Sequence, residues 1–386
     1  MTALSQPDAD LTTIPVMRPW LGEEEVAAAA EAVASGWIAQ GPRVRAFEEE
    51  FARRVGAAEA VAVSNCTTAL HLALHLLGVG PGDEVVVPSF SFIATTNAAR
   101  YVGARPVFAD VDLATGNLTA DTVAPVLTDR TRAVIVVHQA GVPADTRSLR
   151  DLLEPRGVAV VEDAACAIGS TVYGRPVGAG VDLAAFSFHP RKLVTTGEGG
   201  MLTTRSPEVA TRARRLREHG MSVSAADRHA RGSVTPEQYL EPGFNFRMTD
   251  VQAAIGRVQL TRIDAMVSRR RELASRYREL LADVPGLRLV ADPPWGTTNY
   301  QSCWALLPPD LPVSRDDVLA QLAGAGISAR RGIMAAHLEP ACADLPRREL
   351  PATERLTADS LILPLYHQMT EPEQDRVVTA LRAVVR

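Results

Sequence analysis

Lys192 stands in "SFHPRKLVTTGEGG" (187–200), among small and polar residues and just past an apolar, strand-like run, "VDLAAFSF". A lysine amine attacks aldehydes and carries protons once desolvation or nearby cations depress its pKa. Most lysines lie on the surface and do neither, so Lys192 takes its meaning from what stands with it. The ends of strands in α/β proteins are where ligand sites gather. Ser187 and His189 flank it there. For His189 a structural hydrogen-bonding role is the favoured reading.

Three further stretches supply complementary chemistry. In "VVEDAACAIG" (160–169), Asp163 lies where a buried strand finishes. A buried carboxylate needs a partner; a protonated ring nitrogen would serve, and so would capping of the next turn. In "SNCTTALHLAL" (64–74), Thr67 and Thr68 open a helix directly after a strand. Helix N-termini present free N–H groups and a partial positive charge that receive phosphate, although threonines there also act as plain caps. In "PSFSFIATTN" (88–97), Phe92 follows another strand end, placed either to stack on a flat ring or to join the core. A lysine for an aldehyde, a carboxylate for a pyridinium and a helix N-terminus for a phosphate are together the three handles of pyridoxal 5′-phosphate.

The elements that must hold these residues are legible as an alternation. "AVAVS", "DEVVVPS", "RPVFADV", "RAVIVVH", "VAVVEDAA", "VDLAAFSF" and "GGMLTT" read as strands. Helical patterns such as "TTALHLALHLLG", "FIATTNAARYVG" and "RSLRDLLEPRG" fall between several of them. Continuous β-branched runs separated by helices predict an α/β fold with a mostly parallel sheet covered on both faces. Two helices, "GEEEVAAAAEAVASG" and "GPRVRAFEEEFARRVG", precede them. From Asp250 the pattern becomes one long, increasingly charged helix, through residue 284. We expect a large domain over 1–255, its first fifteen residues loose, and a smaller C-terminal α+β domain over 256–386.

Bulk properties narrow the function. The 386 residues are 46% hydrophobic, enough for a large core, and the net charge of -5 offers no basic surface for nucleic acid. The basic run "RARRLRE" (212–218) alternates with apolar residues at helical spacing and reads as a solvated face. The cysteines, Cys66, Cys166, Cys303 and Cys342, form no C-x-x-C pair, so neither a zinc site nor a disulfide framework is expected. No apolar run approaches a membrane span, and "MTALSQPDADLTTIPV" lacks the features of a signal peptide, so a cytoplasmic location is expected.

The sequence resembles the DegT/DnrJ/EryC1/StrS family of sugar aminotransferases, which have the fold type I architecture of pyridoxal-phosphate enzymes. The resemblance runs from "RPWLGEEE" to "LPLYHQMTEPEQDRVVTALR", and the "SFHPxK…TTGEGG" block is its most specific part. It implies that Lys192 is the Schiff-base lysine, that Asp163 partners the pyridinium nitrogen, and that Thr67, Thr68 and Ser187 contact the phosphate. Phe92 takes the place of the ring-stacking aromatic. "GFNFRMTD" resembles the family's "GYNYRMTD", whose asparagine, here Asn245, reaches the phosphate of the neighbouring subunit and so implies a homodimer with shared active sites. Cys166 stands where many relatives have Gln or His near the phenolic oxygen of the cofactor, and cysteine is a poor donor. Lys192 argues against the C3 dehydratase branch, which has histidine there. "RRGIMAAHLEP" (330–340) resembles the branch acting at C4, with Arg331, His337 and His189 as candidate substrate contacts. The resemblance implies transfer from L-glutamate to a nucleotide-linked, dTDP-type 4-keto-6-deoxyhexose. A keto-cyclitol or C3 keto-sugar aminotransferase, a lyase or dehydratase using the same cofactor, and a regulator without turnover are the alternatives.

Overall fold

Alternation along single strands builds the central layer. In the strand Thr131–Val137, Val134 and Val136 enter one apolar cluster while Ala133 and Ile135 enter another. Successive strand residues point to opposite faces, so this strand is buried on both sides, as its unbroken apolar run requires. The structure, a computed structural model, describes residues 13–224, 236–346 and 348–385.

In chain order, α1 (Glu23–Ala34) and α2 (Pro42–Val55) lead to β1 (Glu59–Val63), α3 (Cys66–Leu76), β2 (Glu84–Pro88), α4 (Ile93–Tyr101) and β3 (Arg105–Ala109). Then come α5 (Ala120–Val123), β4 (Thr131–Val137), α6 (Thr146–Leu153), β5 (Ala159–Asp163), β6 (Thr171–Val172) and β7 (Arg175–Pro176). β8 (Leu183–Ser187) and β9 (Gly200–Thr204) precede α7 (Pro207–Leu216), α8 (Asp250–Thr261) and α9 (Ile263–Leu280). The remaining chain forms β10 (Arg288–Leu289), β11 (Gly296–Thr297), β12 (Cys303–Leu306), α10 (Arg315–Gly324), β13 (Arg330–Arg331), α11 (Pro351–Asp359), β14 (Ser360–Leu363) and α12 (Glu371–Val385).

The large sheet has the order β1-β9-β8-β5-β4-β2-β3. Neighbours from β8 to β3 pair in parallel, and β9 runs against both β1 and β8. This reversal has a simple cause. Residues 188–199 link β8 to β9 without a helix, and a parallel return would need a crossover. That link carries Lys192. A four-stranded antiparallel sheet, β10-β12-β14-β13, forms the C-terminal layer, and β11-β6-β7 form a third, small sheet.

Three differences from the sequence-based expectation have physical reasons. The long helix from Asp250 breaks at Arg262, between α8 and α9. There the guanidinium leaves to pair with Glu24 and Glu25 of α1 and sits over the Trp20 ring. The expected division at 255/256 falls inside α8. Residues 1–12 of the segment expected to be loose lie outside the described residues, but Ile14 is buried. Its N–H donates to Gly326 O at 2.8 Å and its carbonyl accepts from Ser328 N at 2.8 Å.

One apolar cluster joins the two main sheets. Val86, Val134, Val136 and Val160 of the large sheet share it with Tyr277 of α9, Trp304 of β12, Leu361 and Leu363 of β14 and Leu381 of α12. Among the described residues no helix is long and apolar enough to cross a membrane.

Candidate active site

The parallel strands end together, and their C-terminal ends border a cavity of about 1440 Å³. Every residue singled out from the sequence lines it except Asn245 and His337.

Lys192 is placed by backbone, not by its own side chain. Phe186 and Phe188 point into the cluster under α2, with ring centroids 5.0 Å from Phe51 and 5.3 Å from Phe47 respectively. Ser187, between them, points the other way, toward the cavity. The link then folds on itself: Phe188 O accepts from Thr196 N at 3.0 Å and from Thr195 Oγ1 at 2.9 Å, and Lys192 N donates to His189 O at 2.8 Å. The glycines after it have geometric reasons. Gly197 has φ 82, and a Cβ on Gly200 would lie 2.4 Å from the Asn65 carbonyl carbon, where β9 abuts the start of α3.

Lys192 Nζ donates to Cys166 Sγ at 3.0 Å. Burial alone would depress its ammonium, but the Cys166 sulfur and the Asp163 carboxylate hold it above the ordinary lysine value. That reverses the depression expected from desolvation, because the cavity brings acceptors rather than cations to the amine. Cys66, also nearby, is buried, and that burial pushes its thiol far up, so it stays neutral.

Asp163 is buried at the end of β5. Its Oδ1 accepts from Ala165 N at 3.2 Å, which is the turn-capping role, and its Oδ2 accepts from Thr95 Oγ1 at 2.9 Å. Thr95 in turn pairs with Ser91 Oγ at 2.8 Å. Burial raises the Asp163 carboxyl above the ordinary value, while Thr95, Ala165 N–H and Lys192 act against it.

The two threonines separate. Thr68 belongs to the cap of α3: its N–H donates to Asn65 Oδ1 at 2.9 Å and its hydroxyl to Asn65 O at 2.8 Å. The Thr67 hydroxyl lines the cavity and makes no hydrogen bond to a described residue. The N–H groups of Cys66 and Thr67, in the first turn, have no intrahelical acceptor. Phe92 is 62% exposed at the start of α4 and lines the cavity, which rules out the core role.

His189 Nδ1 accepts from Arg191 N at 3.1 Å, so the neutral ring carries its proton on Nε2. Burial, with Arg191 and Lys192 adding to it and Glu198 opposing, holds its pKa below the usual histidine value. His337, expected at the substrate, is instead buried and does not line the cavity. Its N–H donates to Ser89 Oγ at 3.0 Å, its Nδ1 lies 2.6 Å from the same oxygen, and its Nε2 lies 3.3 Å from Glu354 Oε1. It pins the chain after β13 to the end of β2. Asn245 is exposed and bridges to Glu218.

Sequence reasoning passed over Thr95, Arg191 and Arg330. Thr95 sits three residues after Phe92 in a stretch already quoted, but its partner Asp163 is 68 residues away. Only the parallel pairing of β2, β4 and β5 brings them together.

Lys192 brings an amine and Asp163 a buried carboxylate to this cavity, and the fold around them is that of an aminotransferase. Within that class the chain belongs to the DegT/DnrJ/EryC1/StrS aminotransferase family, whose model matches residues 19–382. Among solved structures it is similar to the aminotransferase TlmJ from Streptoalloteichus hindustanus, at 41% identity and TM-score 0.88, over 96% of this chain and 98% of that one. DesI, solved in the presence of its TDP-sugar product, matches at 34% identity and TM-score 0.86, over 96% of this chain and 93% of that one. The sugar aminotransferase Spr1654 from Streptococcus pneumoniae, solved in a PLP form, matches at 27% identity and TM-score 0.90, over 97% and 98%.

Proposed function

We propose that the protein is a pyridoxal 5′-phosphate-dependent sugar aminotransferase that moves the amino group of L-glutamate to C4 of a nucleotide-linked, dTDP-type 4-keto-6-deoxyhexose. The observation that carries this is the donor set around one cavity: an amine, a buried carboxylate braced by Thr95, and an uncapped Thr67 at a helix N-terminus. These residues fit the cofactor's aldehyde, ring nitrogen and phosphate in turn. The TDP-sugar product of DesI and the "SFHPxK…TTGEGG" block support the sugar nucleotide and the C4 position. Incubation with glutamate and a panel of nucleotide keto-sugars, with the product solved by NMR, tests it. A panel giving no amino sugar, or amination at C3, overturns the corresponding part.

When bound, the cofactor supplies an aldehyde carbon that takes up the amino nitrogen and a ring that stores an electron pair. Lys192 would hold that carbon through its Nζ and, once released, would serve as the group that carries a proton at the reacting carbon. Asp163 would keep the ring nitrogen protonated, and Phe92 would cover a ring face. Thr67, Ser187 and the α3 N–H groups would hold the phosphate, with Thr68 fixing that helix end. The Cys166 thiol faces the cavity where a stronger donor would otherwise meet the phenolic oxygen.

Thr95→Val keeps the side-chain volume and removes the hydroxyl from Asp163. The carboxylate then takes up a proton more readily, and retention of the cofactor is expected to weaken about tenfold. Thr95→Ser should restore it. Dialysis against buffer, with the remaining cofactor read by absorbance, checks this; equal retention in Thr95→Val and wild type contradicts the bracing role.

Asn245 is exposed and does not line its own chain's cavity, and we place it on the phosphate of a partner subunit. Lys192→Ala chains mixed with Asn245→Ala chains should then form heterodimers with one intact site. After full exchange, roughly a quarter of wild-type activity is expected, since half of the dimers carry one good site of two. Tagged chains report the exchange. Verified heterodimers no more active than the parents would place Asn245 in its own chain's business only.

A further inference from the structure

We propose that Gln301 is a positioning residue for Lys192: its side-chain amide latches the lysine-bearing link to the turn before β12 and so sets where the amine stands. This role rests on the transamination reading above, in which Lys192 is the reacting amine. Gln301 is buried, lies between β11 and β12, and lines the cavity that holds Lys192. Its Nε2 donates at 2.6 Å to Arg191 O, the carbonyl bonded to Lys192 N. Two residues earlier, Asn299 holds the lysine's neighbour. Its Nδ2 donates to Cys166 O and to Ile168 O, both at 2.8 Å, and Cys166 Sγ is the atom that accepts from Lys192 Nζ. Asn299 Oδ1 accepts from Gln301 N at 2.8 Å, so both side chains act from one turn.

Three local costs meet in this turn. Tyr300, between Asn299 and Gln301, has φ 51, a left-handed conformation that a bulky residue rarely takes. Arg270 holds it there. That buried guanidinium donates to Tyr300 O and to Gln301 O at 2.7 Å each, and no carboxylate pairs with it among the described residues. Burial pushes it down to about 10. The third cost is Gln301 Oε1, a buried acceptor with no donor among the described residues. A buried polar atom left single is destabilising, and native chains keep few of them. Strain that the surroundings hold in place gathers where geometry serves function. What the side-chain amides of this turn grip outside it is the backbone at Arg191, Cys166 and Ile168, which is the lysine link and the stretch that carries its sulfur acceptor.

The link needs such a latch. The bonds from Thr195 and Thr196 to Phe188 O, and from Lys192 N to His189 O, close the link on itself. The bond from Gln301 ties its lysine-bearing part to a separate element. A lysine amine hangs on a flexible four-carbon stem, so it is placed no better than the backbone beneath it. An ångström of misplacement at a reacting centre lowers a rate by about a hundredfold. Because Gln301 acts through Lys192, its effect shows when the lysine meets an aldehyde, before any amino donor or sugar is present.

The test starts from the full chain freed of cofactor. Pyridoxal 5′-phosphate is added, the adduct is fixed with borohydride, and mass spectrometry of the Lys192 peptide gives its rate and place. Gln301→Glu keeps the size and removes the donor, and should capture the aldehyde at Lys192 about tenfold more slowly than wild type. Gln301→Leu, which adds no charge, should be slowed alike. Gln301→His, whose Nε2–H reaches about as far as the amide, should return to within about threefold of wild type. In the loaded enzyme, Gln301→Glu and Gln301→Leu should lower kcat about tenfold and leave the glutamate concentration for half-maximal rate within about twofold. All rates are taken well below each variant's melting temperature by circular dichroism, where lost stability alone does not slow capture. Capture at the wild-type rate by Gln301→Leu would overturn the proposal, and so would a Gln301→His as slow as Gln301→Leu. A raised glutamate requirement with normal capture would make Gln301 a substrate contact and overturn it too. A wild-type chain that takes the aldehyde elsewhere than at Lys192 would overturn the reading of Lys192 itself, an outcome distinct from a reactive wild type with indifferent variants.

Discussion

Lys192→Ala is expected to lose at least about four orders of magnitude in turnover while keeping its fold. A positioned proton carrier contributes roughly 10²- to 10⁴-fold, and here the same amine also provides covalent catalysis. Stability should be nearly untouched. The link that carries Lys192 is held by Phe188, Thr195 and Thr196, and the lysine side chain makes one bond, to Cys166. The purified wild type should be yellow, and the variant should bind only the amine form of the cofactor firmly. Single-turnover absorbance with glutamate, beside circular dichroism, measures both halves of the statement. Transamination at wild-type rates by Lys192→Ala would sink the assignment.

Asp163→Asn should separate catalysis from stability in opposite directions. The amide can still accept from Thr95, so the shape of the site survives, but a neutral group cannot hold a proton on the ring nitrogen. We expect kcat to fall by about two to three orders of magnitude in both half-reactions, the scale of losing one well-placed charge at a reacting centre. Stability without the cofactor goes the other way. Burial raises the Asp163 carboxyl above its unfolded value, so the native state binds more protons than the unfolded chain, and stability declines as pH rises through that window. The charge is therefore a liability at neutral pH. Cofactor-free Asp163→Asn should melt no lower than wild type there, and its advantage should vanish toward acid pH. Full kcat in the variant would refute the ring-nitrogen role, and a lower neutral Tm would refute the electrostatic cost.

These two residues were legible because their signals are local. A lysine and an aspartate at strand ends announce themselves within a few neighbours, and the alternation of β4 and β5 reports a sheet buried on both faces. What stayed hidden depends on chain pairing. Thr95 reaches Asp163 only across β2, β4 and β5. His337 looked like a substrate contact by its motif, and Ser89 and Glu354, distant in sequence, take both ring nitrogens. The reversal of β9 was readable in hindsight from the missing helix after Ser187. The break at Arg262 was not, since it answers to acids on α1.

The apolar cluster shared by the two main sheets has a consequence for how the chain can be divided. Val86, Val134, Val136 and Val160 are covered from their own half only in part, by residues such as Val123 of α5 and Leu149 and Leu153 of α6; α9, β12, β14 and α12 supply the rest. Cutting the chain after α8 would leave the part of the sheet that α9, β12, β14 and α12 cover open to water, an adhesive plate rather than a free-standing module. The halves therefore melt as one cooperative unit. During synthesis, the nascent first half must wait for the last helix to emerge before its surface is safe from aggregation.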